Sequence, residues 1–333
     1  MVLIEKMYME LYKSARQVCE ACCVKAGEKV VIYSDTMKNP PLIDAFFNAA
    51  VICGAEAVVV KAESRAPLLE PPKTALEAML AADIVFDLAT ETWLYTNATN
   101  AIIASGVRML QVLVSDASII ARPPTASIRE RVAAADNLYK NCTEVKITSA
   151  NGTDFTMRRG DRPTIPQDGC VNSPGTWDSL GLAKVSIFPP ETESEGVIVF
   201  DGSLYLIPDH KLILEKPIRA TVEKGRIVNI EADHKEAKLL DTWLRSWNDP
   251  SAYVIAHVGF GLDARANIYS YDIGAWESYN GGILIGIGSN ISIGSQGKNK
   301  CLSHMDACFF DSDFYVDGRP VIKEGKFVVP ELM

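Results

Sequence analysis

Histidine is scarce in this chain of 333 residues: His210, His234, His257 and His304 are the whole supply of imidazole for a metal site or a general base. Basic clusters are missing too. Lys and Arg number 33 against 42 Asp and Glu, a formal net charge of −9, and no segment is rich in Lys or Arg. Such a chain has little with which to displace counterions from a phosphate backbone or to hold an anionic bilayer, so neither nucleic acid nor membrane is expected as a partner. No window approaches the roughly 18 uncharged apolar residues that a spanning helix needs. The first residues, MVLIEKMYMELYKSARQ, interrupt their apolar positions with charge every few residues, unlike the core of a signal peptide. A cytoplasmic protein is expected, and its eight cysteines then read as thiols of a reducing compartment rather than as a disulfide framework.

What is present is an ordinary globular balance, 48% hydrophobic and 23% charged, in a length that suits two domains at about 100–200 residues each. A helix over about residues 4–25, stopped at Ala26-Gly27, leads into short apolar runs at 29–34 (KVVIYS), 55–61 (AEAVVVK), 83–88 (DIVFDL) and 107–114 (VRMLQVLV). Helical patterns at 41–53, 74–82 and 97–106 separate them. Continuous Val/Ile-rich strands alternating with helices predict a parallel, Rossmann-like or flavodoxin-like sheet with ligand loops at the strands' carboxyl ends. Past residue 140 the pattern shifts to short strands punctuated by Asn151-Gly152, Lys224-Gly225, Asp317-Gly318 and Glu324-Gly325, with one helix near 235–247. The expected fold is therefore an α/β domain over 1–140 followed by a β-rich α+β domain over 141–333. Residues 160–181, rich in Pro, Gly, Asp and Ser, read as a long loop.

Two histidines have bland settings, His210 in the turn PDHK and His234 at a helix start, and both are expected to be exposed. His304 differs, because the run Ser303-His304-Met305-Asp306 places His and Asp two apart, and in a strand such residues leave the same face. His257 follows the apolar run YVIA and precedes Val258-Gly259-Phe260-Gly261, which reads as a glycine loop open to a ligand. Two imidazoles and a carboxylate suit non-haem Fe(II) with coordination positions left open, and equally a catalytic Zn²⁺. Cys19, Cys22 and Cys23, at helical spacing, read as core packing. The glycines of 281–282 and 286–288 do not form a dinucleotide fingerprint. Glu191, Glu193 and Glu195 form an acidic loop, either solvated or facing a ligand.

In chain order, VKAGEKVVI (24–32), GAE (54–56), FPPETESEGVIVFDG (188–202), AHVGFGLD (256–263), GSNISIG (288–294) and SHMD (303–306) resemble the metallo-aminopeptidases typified by aminopeptidases T and S. That resemblance covers most of the chain and implies two domains with a metal site in the C-terminal one. Those aminopeptidases hold two metals with two glutamates, two histidines and an aspartate. Here His304 and Asp306 are retained, His257 stands where a glutamate is usual, and Asn290 stands where a histidine is usual. The altered set looks like the branch containing 2,5-dihydroxypyridine 5,6-dioxygenase. By resemblance, His257, His304 and Asp306 are iron ligands, the cofactor is Fe(II), and the partners are O₂ and a small N-heteroaromatic substrate whose ring is opened by extradiol-type chemistry. The ring-cleaving members carry an acid/base histidine in an N-terminal-domain loop. This chain has no histidine before His210, and Tyr95 is the nearest candidate for that role. Ser289 and Ser292, with Glu191, are expected to face the substrate. A zinc- or cobalt-dependent aminopeptidase-like hydrolase is the alternative. Apolar strands such as 282–287 add the expectation of a homo-oligomer.

Overall fold

The structure is a computed structural model that describes residues 2–333 apart from Tyr95, Pro208, Asp209 and Tyr271, and apart from the side chains of residues 2–4. The chain divides into two compact units, Met1–Arg129 with Gln167–Leu182, and Glu130–Pro166 with Ala183–Met333. It forms a mixed α/β fold with one parallel and two larger antiparallel sheets. Among the described residues no helix is long and apolar enough to cross a membrane.

In the first unit, β1 (Lys29–Asp35) lies between β2 (Glu56–Ala62) and β3 (Ile84–Asp87), followed by β4 (Arg108–Gln111) and β8 (Trp177–Ser179), all parallel. Alternate residues of β1 feed two cores. Val30 and Ile32 pack with Leu11, Phe46 and Leu110, while Val31 and Tyr33 pack with Met79, Ile102 and Met109. Both faces of the strand are buried, which is why its run Val30–Tyr33 is continuously apolar rather than alternating. Helices α1 (Val2–Ala21), α2 (Pro40–Ile52), α3 (Lys73–Leu80), α4 (Asn97–Ala104) and α5 (Asp116–Ala121) complete the unit. Helix α2 opens on proline, whose missing N–H is no loss at a first helical position.

Two sequence expectations need correction here. Helix α1 stops at Ala21 rather than 25, because Cys23 already takes the left-handed conformation (φ 54°) expected at Gly27, which adopts a positive φ as well (81°). Its N–H reaches the Glu20 carbonyl at 3.0 Å and that of Val24 reaches Cys19 at 3.0 Å, the paired bonds of a Schellman stop. Cys23 is consequently exposed, whereas Cys19 and Cys22 are core residues as expected.

The second correction concerns residues 160–181, which are not one long loop. They contain β7 (Thr164–Gln167), in an antiparallel sheet of the second unit, and β8, which adds to the parallel sheet. The boundary expected near 140 did not include this return to the first unit. Strands of three or four residues are too short to show a period.

Asp178 anchors the returning segment by accepting the N–H groups of Asp168 (2.8 Å) and Gly169 (2.9 Å) and the amide of Gln167 (3.1 Å). Burial, with the Asp168 charge beside it, pushes the Asp178 carboxyl from 3.8 up to about 7. Burial likewise raises Asp87 to about 6. An acid raised on folding holds its proton where the unfolded chain has released it, so this stability is present below the unfolded value and is lost as pH climbs through the folded one. The melting temperature is therefore expected to fall between about pH 5 and about pH 7.5, and Asp178→Asn is expected to flatten that slope. Thermal melts across the interval measure it, and equal slopes for the two proteins would refute the assignment.

The second unit carries two antiparallel sheets. One runs β14 (Arg226–Ile230), β13 (Ile218–Glu223), β10 (Ser194–Phe200), β6 (Asp154–Arg158), β5 (Glu144–Ser149), β18 (Ser312–Val316), β19 (Arg319–Lys323) and β20 (Lys326–Phe327). The expected hairpins are present. The pairs 224–225, 317–318 and 324–325 all have positive φ at both residues, the turn that matches strand twist. The other sheet runs β12 (His210–Ile213), β11 (Ser203–Ile207), β17 (His304–Phe309), β16 (Ile283–Gly288), β15 (Ile255–Gly261), β9 (Lys184–Ile187) and β7. Three helices, α6 (Ala126–Tyr139), α7 (Lys235–Ser246) and α8 (Ile273–Ser278), complete the chain.

Candidate metal centre

The middle of the seven-stranded sheet brings distant residues together by register. His257 on β15 pairs with Gly286 on β16, and Gly286 pairs with Asp306 on β17, while Gly288 pairs with His304. The alternation of a strand puts His304 and Asp306 on one face, and the His257 ring joins them over Gly286. One nitrogen or oxygen from each of the three lies within 4.8 Å of the others, and among the described residues this is the one such group of His, Cys, Asp and Glu. His257 Nε2 is 2.9 Å and His304 Nε2 3.4 Å from the same Asp306 oxygen, Oδ1. All three are buried.

His257 corrects the sequence reading in one respect. It does not open a glycine loop, since β15 continues through Gly261 and the whole strand is buried. The glycine that matters is across the sheet. A Cβ on Gly286 would stand 2.2 Å from His257 Nε2, so the ring occupies the space that a side chain would fill. Phe188 packs against the same ring, centroids 5.1 Å apart.

Orientation comes from backbone. His304 Nδ1 donates to the Ser289 carbonyl at 2.9 Å, which leaves Nε2 to face Asp306. His257 Nδ1 is buried without a hydrogen-bond partner. Burial pushes the His257 pKa down to about 4 against the pull of Asp306, so the ring is neutral at pH 7. At Asp306, burial opposes ionisation, but the His304 charge and the bond from His257 outweigh it and hold the carboxyl well below its usual range. At His304, burial opposes the proton but Asp306 outweighs it and raises the pKa. Imidazole nitrogens around a buried carboxylate, one nitrogen orphaned, match the donor set of a divalent transition metal.

Glu191 reaches this centre only through neighbours. Its carboxylate accepts from Arg162 (3.0 and 3.1 Å), from the Asn290 amide (2.9 Å) and from the Lys298 N–H (2.8 Å). Burial works against the charge, yet these partners outweigh it and lower the Glu191 pKa. Asn290 is buried and its Oδ1 accepts the Asn299 N–H at 2.8 Å, closing the loop that follows β16. Ser289 touches His304 by its carbonyl, while its hydroxyl points to the Asn299 carbonyl at 3.4 Å. Ser292 sits in a turn closed by Ser295. Glu191→Ala would strand Arg162, whose side chain is 9% exposed, and release the loop. The expected cost is about 2–4 kcal/mol, read as a lower denaturation midpoint, with weaker metal binding as His304 loses its fixed carbonyl.

Tyr95 lies outside the described residues. His210 is exposed as expected, but His234 is half-buried and bonded to the Pro217 carbonyl at 3.0 Å. Sequence reasoning missed Gly286, Phe188 and a buried ion pair, Lys184 with Glu277. Gly286 had a signal in the alternation Gly286-Ile287-Gly288, which matches the strand period and places two side-chain-free positions on the site's face.

The family model described as NicX, 2,5-dihydroxypyridine 5,6-dioxygenase, matches residues 10–329. A curated 2,5-dihydroxypyridine 5,6-dioxygenase from Pseudomonas putida KT2440 is 30% identical over 266 residues, 77% of this chain and 74% of that protein. The solved structure of 2,5-dihydroxypyridine dioxygenase from P. putida KT2440 shares the fold at TM-score 0.87 and 24% identity, covering 98% of this chain and 99% of that one. Wild-type AmpT from Thermus thermophilus shares it at TM-score 0.69 and 16% identity, over 96% and 99%. With nearly its whole length matched by one family model, the chain belongs to the 2,5-dihydroxypyridine 5,6-dioxygenase family.

Proposed function

We propose that this protein opens a dihydroxylated pyridine ring, 2,5-dihydroxypyridine or a close analogue, with O₂ at an Fe(II) ion held by His257, His304 and Asp306. The observation that carries the reading is the in-register face of two imidazoles and one carboxylate around Gly286. Fe(II) bound there would supply redox-active electrons and open coordination positions at which O₂ and the ring oxygens come together. The chain's own residues do the rest. The Ser289 carbonyl fixes the His304 tautomer, and Phe188 packs against the His257 ring and limits its rotation. Ser292, and the Ser289 hydroxyl once it turns from the Asn299 carbonyl, are the donors we assign to the substrate's ring oxygens, with Glu191 holding their loop in place through Asn290.

Proton transfer falls to Tyr95 in this reading. A phenol, with an ordinary pKa near 10, serves better as a hydrogen-bond donor to a ring oxygen than as a base at neutral pH. Tyr95→Phe is expected to lower turnover about 10²-fold while metal content is unchanged, measured by single-turnover kinetics beside metal analysis. The ring-opening reaction itself is tested with ¹⁸O₂. Both labelled atoms should appear in the ring-opened product by mass spectrometry. Label arriving from water instead, or release of an amino acid from a peptide without O₂, would turn the assignment to a hydrolase.

A further inference from the structure

Lys184 and Glu277 form a buried ion pair that contributes no atom to the three-residue ligand group. Lys184 opens β9, and its register partner on β15 is Gly261. Gly261 lies four residues beyond His257 and so shares its face of the sheet. Glu277 belongs to α8, whose end rests on that glycine: a Cβ on Gly261 would meet the Ser278 carbonyl carbon at 2.4 Å and the Glu277 oxygen at 2.7 Å. Lys184 Nζ stands 2.6 Å from Glu277 Oε2, and the two side chains are 8% and 7% exposed. A lysine and a carboxyl group in hydrogen-bond contact are thus buried on the face that carries the three candidate ligands, and burial, opposed by Lys184, raises the Glu277 carboxyl to about 7.

Stability alone is a poor reason for such a pair, because apolar residues of the same volume often do as well or better. Burial works to strip Lys184 of its proton, but Glu277 and Asp306 outweigh it and lift the pKa above the usual lysine value. The ammonium therefore answers to the metal-site carboxylate as well as to its own partner. Glu277 is a further carboxylate close to the site, yet it stands outside the group whose ligand atoms lie within 4.8 Å, and its oxygen is turned to Lys184.

We propose that Lys184 and Glu277 are positioning residues for the metal centre: Lys184 keeps the Glu277 carboxylate occupied and out of the ligand set, and the balanced pair holds the site at the charge of two imidazoles and one carboxylate. The inference rests on the reading of His257, His304 and Asp306 as metal ligands. Its consequences have opposite signs. A divalent cation is attracted by Glu277 and repelled by Lys184, and with both present the two effects offset each other. Glu277→Gln leaves the ammonium uncompensated and weakens metal binding. Lys184→Met removes the repelling ammonium, and although burial then favours the protonated Glu277, a bound cation draws that proton off and gains the carboxylate, which strengthens binding. The double variant restores neutrality. A pair that only packs predicts losses of the same sign from both single changes.

The test is a titration of the full chain, stripped with chelator, with Co²⁺ as the probe, followed by its visible absorption and by competition with a chelating dye at one pH. Glu277→Gln should bind Co²⁺ about tenfold or more weakly and Lys184→Met about tenfold or more tightly with an altered visible spectrum, while the double variant stays within about threefold of the unmutated chain. Weaker binding by both single variants, or unmoved binding by both, overturns the proposal. Should Lys184→Met fail to fold, Lys184→Arg must keep the unmutated affinity while Glu277→Gln still weakens it, and any other result counts against the pair. An unmutated chain that binds no Co²⁺ overturns the metal-site reading itself. Binding by the unmutated chain with unmoved variants overturns only the role of the pair.

Discussion

Gly286→Ala is expected to cost the protein its metal, although Gly286 contributes no ligand atom. The added Cβ would lie 2.2 Å from His257 Nε2, well inside contact distance, and the ring is also packed against Phe188 and His304. Neither the strand nor the ring can yield easily, because Gly286 is paired on both edges, to His257 and to Asp306. The ring must rotate away from Asp306, and the three donors separate. Metal affinity should fall about 10–100-fold, with stability lower by about 1–3 kcal/mol from overpacking. Isothermal titration of the stripped variant with a divalent metal, beside a denaturation curve, measures both. A variant that binds metal as tightly as the unmutated chain would show that His257 is not a ligand in this position.

Asp306→Asn should have a larger effect on metal and a smaller one on shape. The amide is nearly isosteric, so β17 can keep its place between β11 and β16. It removes the one negative charge of the set, however, and presents an N–H₂ group where His257 and His304 both approach Oδ1. Metal binding is expected to weaken by about two orders of magnitude or more, with O₂-dependent ring loss falling in step. His304 should also lose its raised pKa, since Asp306 is what outweighs burial there. Metal analysis after gel filtration, with circular dichroism to establish the fold, separates loss of the site from loss of the protein. Full metal occupancy in Asp306→Asn would remove the carboxylate from the ligand set.

Much of this was legible in the residues and some was hidden by physics that a linear reading does not carry. The parallel sheet showed itself because strands buried on both faces carry continuous apolar runs, as β1 does from Val30 to Tyr33. His304 and Asp306 were readable as a pair because period two is a local property. His257 was found as a residue type in a suggestive run, but its neighbours were misjudged. Gly259 and Gly261 belong to a continuing strand, where they admit the backbone of β9 and of α8 rather than a ligand. What joins His257 to Asp306 is sheet register across 49 residues, and no spacing in the sequence states it.

The same holds for Glu191 and Asn290, 99 residues apart, whose hydrogen bond makes a loop anchor of a residue expected to face substrate. Lys184 gave no sign at all. A lysine at the head of an apolar strand reads as an exposed flank until Glu277, 93 residues later, is seen beside it. At the other end of the chain, the helix stop at Cys23 was missed because left-handed backbone is ordinarily given to glycine, and Gly27 stood nearby.

The central claim, one Fe(II) held by His257, His304 and Asp306 and used with O₂ to open a hydroxypyridine ring, is most directly tested by anaerobic Fe(II) loading of the full chain followed by 2,5-dihydroxypyridine and O₂. Iron per chain, O₂ uptake and ring absorbance are read on the same sample. The account predicts one iron per chain and O₂ consumption that matches ring loss mole for mole, both abolished in His257→Ala. Two metals per chain, or ring loss without O₂ uptake, or iron binding undiminished in His257→Ala, would contradict it.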